Sequence, residues 1–426
     1  MKYFIYIILI STNLTFIFSY LKIPFKTFDS DKISKINKIK NNYIYINISL
    51  GFPNQNQSKI SLNQEKDPFD IYVNHSYFYE NSKTSKAISN EDFELTNNLC
   101  KKGIFISDTI NIESDNYENI SFILCTKYHQ IDSLYFDGRL GLNIEYNEKC
   151  DTNLIRQLKA KNIINNYCYS IIYESNDEGF LLIGEFPHNI NLNKNKYLTF
   201  KEENLNWIYS VKNEKNNRWS IIFDKISYSN SELFQIQRNC ILSIENRFII
   251  SPFQYFNLVK DIFGKKCKNY QVDNNFQYLS CDKDIDKEFT PQIIFYNKEL
   301  NLTFTLDYND LFLEEKNSLI FLVSTYIDFD EGYWILGKPF FKKYIPLFNI
   351  DNKMIGFYKK EIYLEENTKK VSSFNTSILI NILLFIIIII LSFSLYHCYV
   401  NKRRIRANEL EDKFNYIAKN DEKENK

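Results

Sequence analysis

Three acidic side chains, at two distant places in the chain, could do chemistry: Glu65 and Asp67 in SLNQEKDPFDIYV, and Glu245 in CILSIENRF. Two carboxylates brought together share one proton, because like charges that near cannot both ionise. One then activates water while the other protonates a carbonyl. The longer Glu side chain could reach across such a gap, so Glu245 with Glu65 or Asp67 forms a candidate pair. Ser243, two residues before Glu245, is a second candidate, as a nucleophile with one of the four His residues. No Gly-x-Ser-x-Gly elbow surrounds it, and a buried or turn serine is the competing reading. The cysteines show no metal-ligand spacing, so neither a metal nor a cofactor is expected. Cys267 with Cys281, and Cys100 with Cys125, read as disulfide pairs.

The elements that position these groups must be mostly β. Hydrophobic residues make up 44% of the 426, with Tyr 31 and Phe 36, and such aromatic and β-branched enrichment favours strands. Strand-like runs recur at 43–50 (YIYINISL), 103–112 (GIFISDTINI), 120–125 (ISFILC), 180–184 (FLLIG), 219–228 (WSIIFDKISY) and 302–306 (LTFTL). Only 10 glycines are present, so Asn is expected to take many left-handed turn positions. One helix is clear, in SPFQYFNLVKDIFG, with Ser251 as cap, Pro252 in the first turn, and Phe256, Val259 and Phe263 on one face. Between residues 41 and 363 no Pro- or Gly-rich linker breaks the chain, so it reads as one folded unit. A net charge of +0 provides no global field to attract nucleic acid.

The ends carry targeting signals. Residues 1–19 read as a signal peptide, one Lys followed by an apolar run and a small residue, with an uncleaved anchor as the alternative. A short basic segment, 20–40, follows and could be a reduced propeptide. The uncharged run ILINILLFIIIIILSFSLY at 378–396 is long enough to cross a bilayer, and a transmembrane helix is expected over 378–398 after a stalk at 364–377. Lys402, Arg403, Arg404 and Arg406 place its far end, with the tail 399–426, in the cytosol. The expectation is a single-pass type I membrane protein of the secretory pathway or cell surface. Sequons at Asn47, Asn56, Asn74, Asn119 and Asn301 are candidate glycosylation sites on the lumenal body. Seven of the Cys residues fall on that side, an odd number that leaves at least one unpaired.

The order of motifs in the lumenal body resembles the pepsin-like aspartic peptidases. NYIYINISLGFPNQ at 42–55 is similar to that family's opening strand and Gly-x-Pro-x-Gln turn, here Gly51, Pro53 and Gln55. GIFISDTI at 103–110 resembles the strand descending from the substrate-covering flap, and FDGRLGLN at 136–143 the first hydrophobic-hydrophobic-Gly element. The second half repeats the plan, with CILSIENRFIISP at 240–252, the helix, YLSC ending at Cys281 and PQIIF from Pro291. WILGKPFFKKYIPLFNIDNKMIGFY at 334–358 is the most specific stretch. The resemblance implies a bilobal, mostly-β fold, with an N-terminal lobe over 41–190 and a C-terminal lobe over 191–363.

It also implies a site built from two Asp-Thr-Gly turns, and neither is present. In the second half the flanking residues put Ser243, Ile244 and Glu245 at those positions. In the first half the aspartate position falls on Asn63, or on Glu65 if the match is anchored on Ile71 and Val73. The flap tyrosine falls on Thr96, and its glycines on Asn97 and Leu99. The expected function is a membrane-anchored, non-proteolytic homologue that binds a protein or peptide partner. The alternative is a divergent aspartic-type endopeptidase using Glu65, Asp67 and Glu245.

Overall fold

The computed structural model describes residues 20–28, 40–64, 69–72, 79–88, 93–94, 100–128, 136–143, 152–190, 200–211, 218–228, 231–234, 237–272, 275–285, 292–315, 317–327 and 333–358. The chain divides into two compact units, Met1–Glu361 and Ile362–Lys426, and every described residue belongs to the first. Among the described residues no helix is long and apolar enough to cross a membrane. The run expected to do so, and the residues expected as a signal peptide, lie outside them.

The described body is mostly β, in sheets of 14, 8 and 4 strands. Apolar residues at every second position explain the individual strands, since alternate side chains point to opposite faces. In Ile44–Leu50 the residues Ile44, Ile46, Ile48 and Leu50 are buried while Tyr45, Asn47 and Ser49 are only partly so. In Cys168–Tyr173 all six residues are buried, because this strand lies inside the largest sheet with both faces covered. The last strands of the body, Leu347–Asn349 and Met354–Tyr358, join that same sheet by pairing Leu347–Asn349 with Cys168–Tyr173. The end of the body is thereby tied to its first half.

Each half carries the same four-strand arrangement. In the first, Ser58–Asn63 runs parallel to Gly138–Gly141, from Ile60 opposite Gly138 to Asn63 opposite Gly141. The next strand, Phe69–Tyr72, lies antiparallel on the other side of Gly138–Gly141 and parallel to Asp115–Tyr128. In the second, Arg238–Leu242 runs parallel to Tyr333–Leu336. Ile249–Ile250 then lies antiparallel on the far side of Tyr333–Leu336 and parallel to Leu319–Tyr326. Both halves therefore send the chain through a turn that begins where the first strand of the set ends.

Two expectations, for the helix cap and for the run 219–228, meet a different outcome, and the segment 20–40 holds an element that was not expected. The segment 20–40 contains a core strand, Leu21–Thr27, paired on one side with Glu178–Ile183 and on the other with Ile44–Leu50. The helix is Phe253–Phe263, with Pro252 at its N-cap and Tyr255 joining Phe256, Val259 and Phe263 on the buried face. Ser251 does not cap it; its hydroxyl donates instead to the carbonyl of Ser324. The strand-like run 219–228 is two strands, Ser220–Phe223 and Lys225–Tyr228, in different sheets.

Cys267 and Cys281 face each other across antiparallel strands and form a disulfide. Cys125 is disulfide-bonded as well, to a cysteine whose side chain lies outside the described ones, as does that of Cys100. Cys168 and Cys240 are free and buried. Burial pushes both thiols well above their ordinary range, which leaves them unreactive. Of the six non-glycine residues at positive φ among the described residues, Asn119, Asn162 and Asn301 are three, as the scarcity of glycine implies.

Candidate functional site

The two repeated turns meet. Asn63 lies opposite Gly141 at the end of its strand, and its carbonyl accepts a hydrogen bond from the Leu142 N–H at 2.7 Å. In the second half Leu242 lies opposite Leu336, and the Ser243 N–H donates to the Leu336 carbonyl at 3.1 Å. Leu140–Gly141 and Leu336–Gly337 are the matching Leu-Gly pairs of the two sets. Asn63 and Ser243 thus hold equivalent positions, each beside the glycine of its own half.

Gly337 is needed there for close approach. A Cβ on it would lie 2.1 Å from the Phe248 carbonyl oxygen and 2.4 Å from that of Asn246. The Lys338 N–H donates to that same Asn246 carbonyl at 2.9 Å, which clamps the turn onto the strand–helix junction.

Across the junction the contacts are made by side chains. The amide oxygen of Gln64, next to Asn63, accepts from the Ile244 N–H at 3.0 Å. In the other direction the Gln64 N–H donates to Oε1 of Glu245 at 2.6 Å. The second oxygen of that carboxylate accepts from the Ser243 hydroxyl at 3.1 Å, and Asn246 Nδ2 donates to the same hydroxyl at 2.8 Å. Gln64 Nε2 donates to the Tyr169 hydroxyl at 3.1 Å, which donates in turn to the Leu142 carbonyl at 2.8 Å. Trp219 Nε1 reaches that carbonyl too, at 3.1 Å. Burial, with the Glu245 charge adding to it, holds the Tyr169 phenol well above its ordinary range, so it stays a neutral donor.

A third strap comes from the start of the body. The Asn42 N–H donates to the Glu245 carbonyl at 2.7 Å, and Asn42 Nδ2 donates to the Ile244 carbonyl at 2.8 Å and to the Tyr173 hydroxyl at 2.7 Å. The Arg247 N–H donates to the Lys40 carbonyl at 3.2 Å. Every backbone group between Ser243 and Arg247 named here has a partner, most of them from other parts of the fold.

Chemically, Asn63 and Ser243 present an amide and a hydroxyl, neither of which ionises in the range where carboxylates do. Ser243 is 1% exposed and bonded to a carboxylate and an amide, with no imidazole among its partners, so it has neither the access nor the base a nucleophile needs. Glu245 is the one sequence-predicted acid whose placement is described, and both its oxygens accept hydrogen bonds from the two turns. Glu65, Asp67 and Thr96 lie outside the described residues. Gln64, Asn42 and Tyr169 were not singled out from the sequence. Gln64 carried a signal, a polar residue where an alternating strand runs into a turn, but its cross-junction partner stands 180 residues away.

Of the sequons, Asn56, Asn119 and Asn301 are exposed, Asn47 is half-buried within Ile44–Leu50, and Asn74 lies outside the described residues. A family model of the eukaryotic aspartyl proteases matches residues 59–360. No curated protein matches the chain. Because the matched span takes in both four-strand sets and both turns, the chain belongs to the eukaryotic aspartyl protease family, the pepsin-like proteases.

Proposed function

We propose that this chain is a pepsin-like homologue that does not hydrolyse peptides and instead holds a protein or peptide partner, from the lumenal or extracellular side of a membrane. One observation carries the reading: Asn63 and Ser243 stand at equivalent ends of equivalent strands, and the resemblance puts one aspartate at Ser243 and the other at Asn63 or Glu65. A mechanism that needs two carboxylates sharing a proton has no such pair at those positions. A fold kept while its chemistry is absent is suited to recognition. The apolar run at 378–396, the basic residues after it and the exposed sequons Asn56, Asn119 and Asn301 support anchoring by one helix with the body in the secretory lumen. The test is to incubate the purified full-length protein with peptide libraries from acid to neutral pH. No cleavage is expected, and pepstatin-inhibitable cleavage would sink the reading.

A second reading, a divergent aspartic-type endopeptidase, is favoured by one contact, the Glu245 carboxylate reaching the first-half turn at Gln64. It needs a second acid, Glu65 or Asp67, within hydrogen-bond reach of Glu245. Under it, Glu245→Gln would abolish a measurable peptidase activity. Under the first reading there is none to abolish.

A further inference from the structure

A cavity of about 580 Å³ that shares no residue with the junction of the two turns opens between the short helical turns Pro187–Asn189 and Glu202–Asn204. Two of the side chains lining it, His188 and Phe200, carry rings. Both rings rest on Tyr358, a residue 4% exposed: Phe200 lies edge-on to it with centroids 5.0 Å apart, and His188 edge-on with centroids 6.0 Å apart. The Tyr358 hydroxyl is 2.9 Å from Nδ1 of His188, and Phe186 stacks on the imidazole at 5.5 Å. The two lining rings are thereby fixed by packing before any ligand arrives, which lowers the ordering cost of binding.

Glu202 and Glu203 bring carboxylates to the same cavity. Among the described residues the one cation lining it, Lys201, lies 3.6 Å from Glu203, and Glu202 makes no ion pair. A third carboxylate, on Glu185, is 3% exposed and is held by the Phe186 N–H at 2.9 Å and by Nδ2 of the lining Asn189 at 2.7 Å. Burial keeps the His188 imidazole below its ordinary 6.5 against the pull of Glu202 and Glu185, so near neutral pH it adds no positive charge. The described lining therefore sets an excess of negative charge beside aromatic rings.

That combination selects an organic cation. A ring face attracts a cation within about 6 Å of its centroid, and a carboxylate bonds a guanidinium through two parallel N–H groups. A metal ion fits poorly, because among the described residues no group of three His, Cys, Asp or Glu side chains could hold one. The volume also falls in the range of about 300–1,000 Å³ that suits an organic group rather than a bare ion. A guanidinium suits the site better than an ammonium, since its plane can stack on a ring while its edge meets a carboxylate.

We propose that this cavity binds an arginine side chain of a protein or peptide partner, its guanidinium stacked on Phe200 and paired with Glu202. That the arginine belongs to a peptide rests on the recognition role proposed above; the cation site itself does not.

The experiment titrates the purified full-length protein with a labelled glycyl-arginyl-glycine peptide, with its citrulline counterpart, which has the same shape and no charge, and with phosphocholine. Saturable binding of the arginine peptide is expected, with the citrulline peptide at least ~10-fold weaker. Glu202→Gln and Phe200→Ala should each weaken the arginine peptide by ~10-fold. Glu202 is exposed, so its exchange should keep the melting temperature of the natural protein. Equal binding of the two peptides, no saturable binding, or an unchanged affinity in Glu202→Gln would overturn the proposal. Tighter binding of phosphocholine than of the arginine peptide would also overturn it and give the cavity to a lipid headgroup. Cleavage of library peptides would sink the non-proteolytic reading and leave this site standing, whereas loss of the arginine preference would sink this site and leave that reading.

Discussion

The neutral groups Asn63 and Ser243 stand beside a set of contacts that would be costly to lose. Glu245 accepts from the Gln64 N–H in a place where Gln64 itself is 2% exposed, and an unmet buried donor costs about 1–3 kcal/mol. Glu245→Ala is therefore expected to destabilise the protein by about that amount, while Glu245→Gln, which keeps an acceptor oxygen, should cost less. Denaturant unfolding of both variants checks this, and equal effects would show that the hydrogen bond to Gln64 is not what Glu245 contributes.

His188 provides a prediction in pH. Its Nδ1 lies 2.9 Å from the Tyr358 hydroxyl and its ring stacks on Phe186. Burial lowers its pKa below the ordinary 6.5, while the charges of Glu202 and Glu185 pull it back up. The folded state then binds a proton less readily than the unfolded one. Its contribution to stability is present above the unfolded value near 6.5 and is lost as pH falls through the folded value. Replacing His188 with Gln should flatten the acid-side fall in melting temperature below pH 6.5. A slope identical to that of the natural protein would assign the acid sensitivity to other groups.

Among the elements, the pair of neighbouring strands Phe69–Tyr72 and Gly138–Gly141 carries an unusual load. Asp70 and Arg139 stand opposite each other in register and form an ion pair, with side chains 0% and 2% exposed. Removing one member of a buried pair leaves the other charge uncompensated, at about 3–5 kcal/mol, whereas replacing both with apolar residues of similar volume is often neutral. Asp70→Leu and Arg139→Met should each destabilise strongly, and the double variant Asp70→Leu/Arg139→Met should recover much of the loss. Additive effects in a double-mutant cycle would rule this out.

The strand Leu21–Thr27 and the helix Phe253–Phe263 show how context overrode local signals. A single Lys-flanked run of alternating Leu, Ile and Phe is too short to declare whether it pairs in a sheet. Pairing with residues more than 150 positions away decided it. Ser251 has the chemistry of a helix cap, but its hydroxyl donates to a carbonyl on Leu319–Tyr326 and Pro252 holds the N-cap position, so the cap is lost to the sheet.

At the scale of the molecule, the 14-stranded sheet makes one unit of the two halves, since the last strands of the body pair with strands of the first. The straps through Asn42, Gln64 and Glu245 add side-chain links at the junction of the turns. Their combined effect should be seen as one cooperative unfolding transition when the natural protein is heated in a calorimeter. Glu245→Ala should lower that transition without splitting it; two separate transitions would mean that the halves fold independently.

The mostly-β class, most strand positions, the repeated plan of the two halves and the Cys267–Cys281 disulfide were legible in the sequence. Alternation of apolar residues and the Leu-Gly elements at 140–141 and 336–337 are local signals, written within ten residues or fewer. By itself the sequence also determined that no Asp-Thr-Gly is present, because that is a matter of residue identity alone. It left open whether Asn63 or Glu65 pairs with Ser243 in position. The tertiary structure aligned Asn63 with Gly141 as Ser243 aligns beside Gly337, since register is set by hydrogen bonds between strands about 78 and 94 residues apart, a separation no local pattern spans. It also decided that Glu245, which read as one of three acids free to do chemistry, accepts from Gln64 and Ser243 at the junction of the two turns.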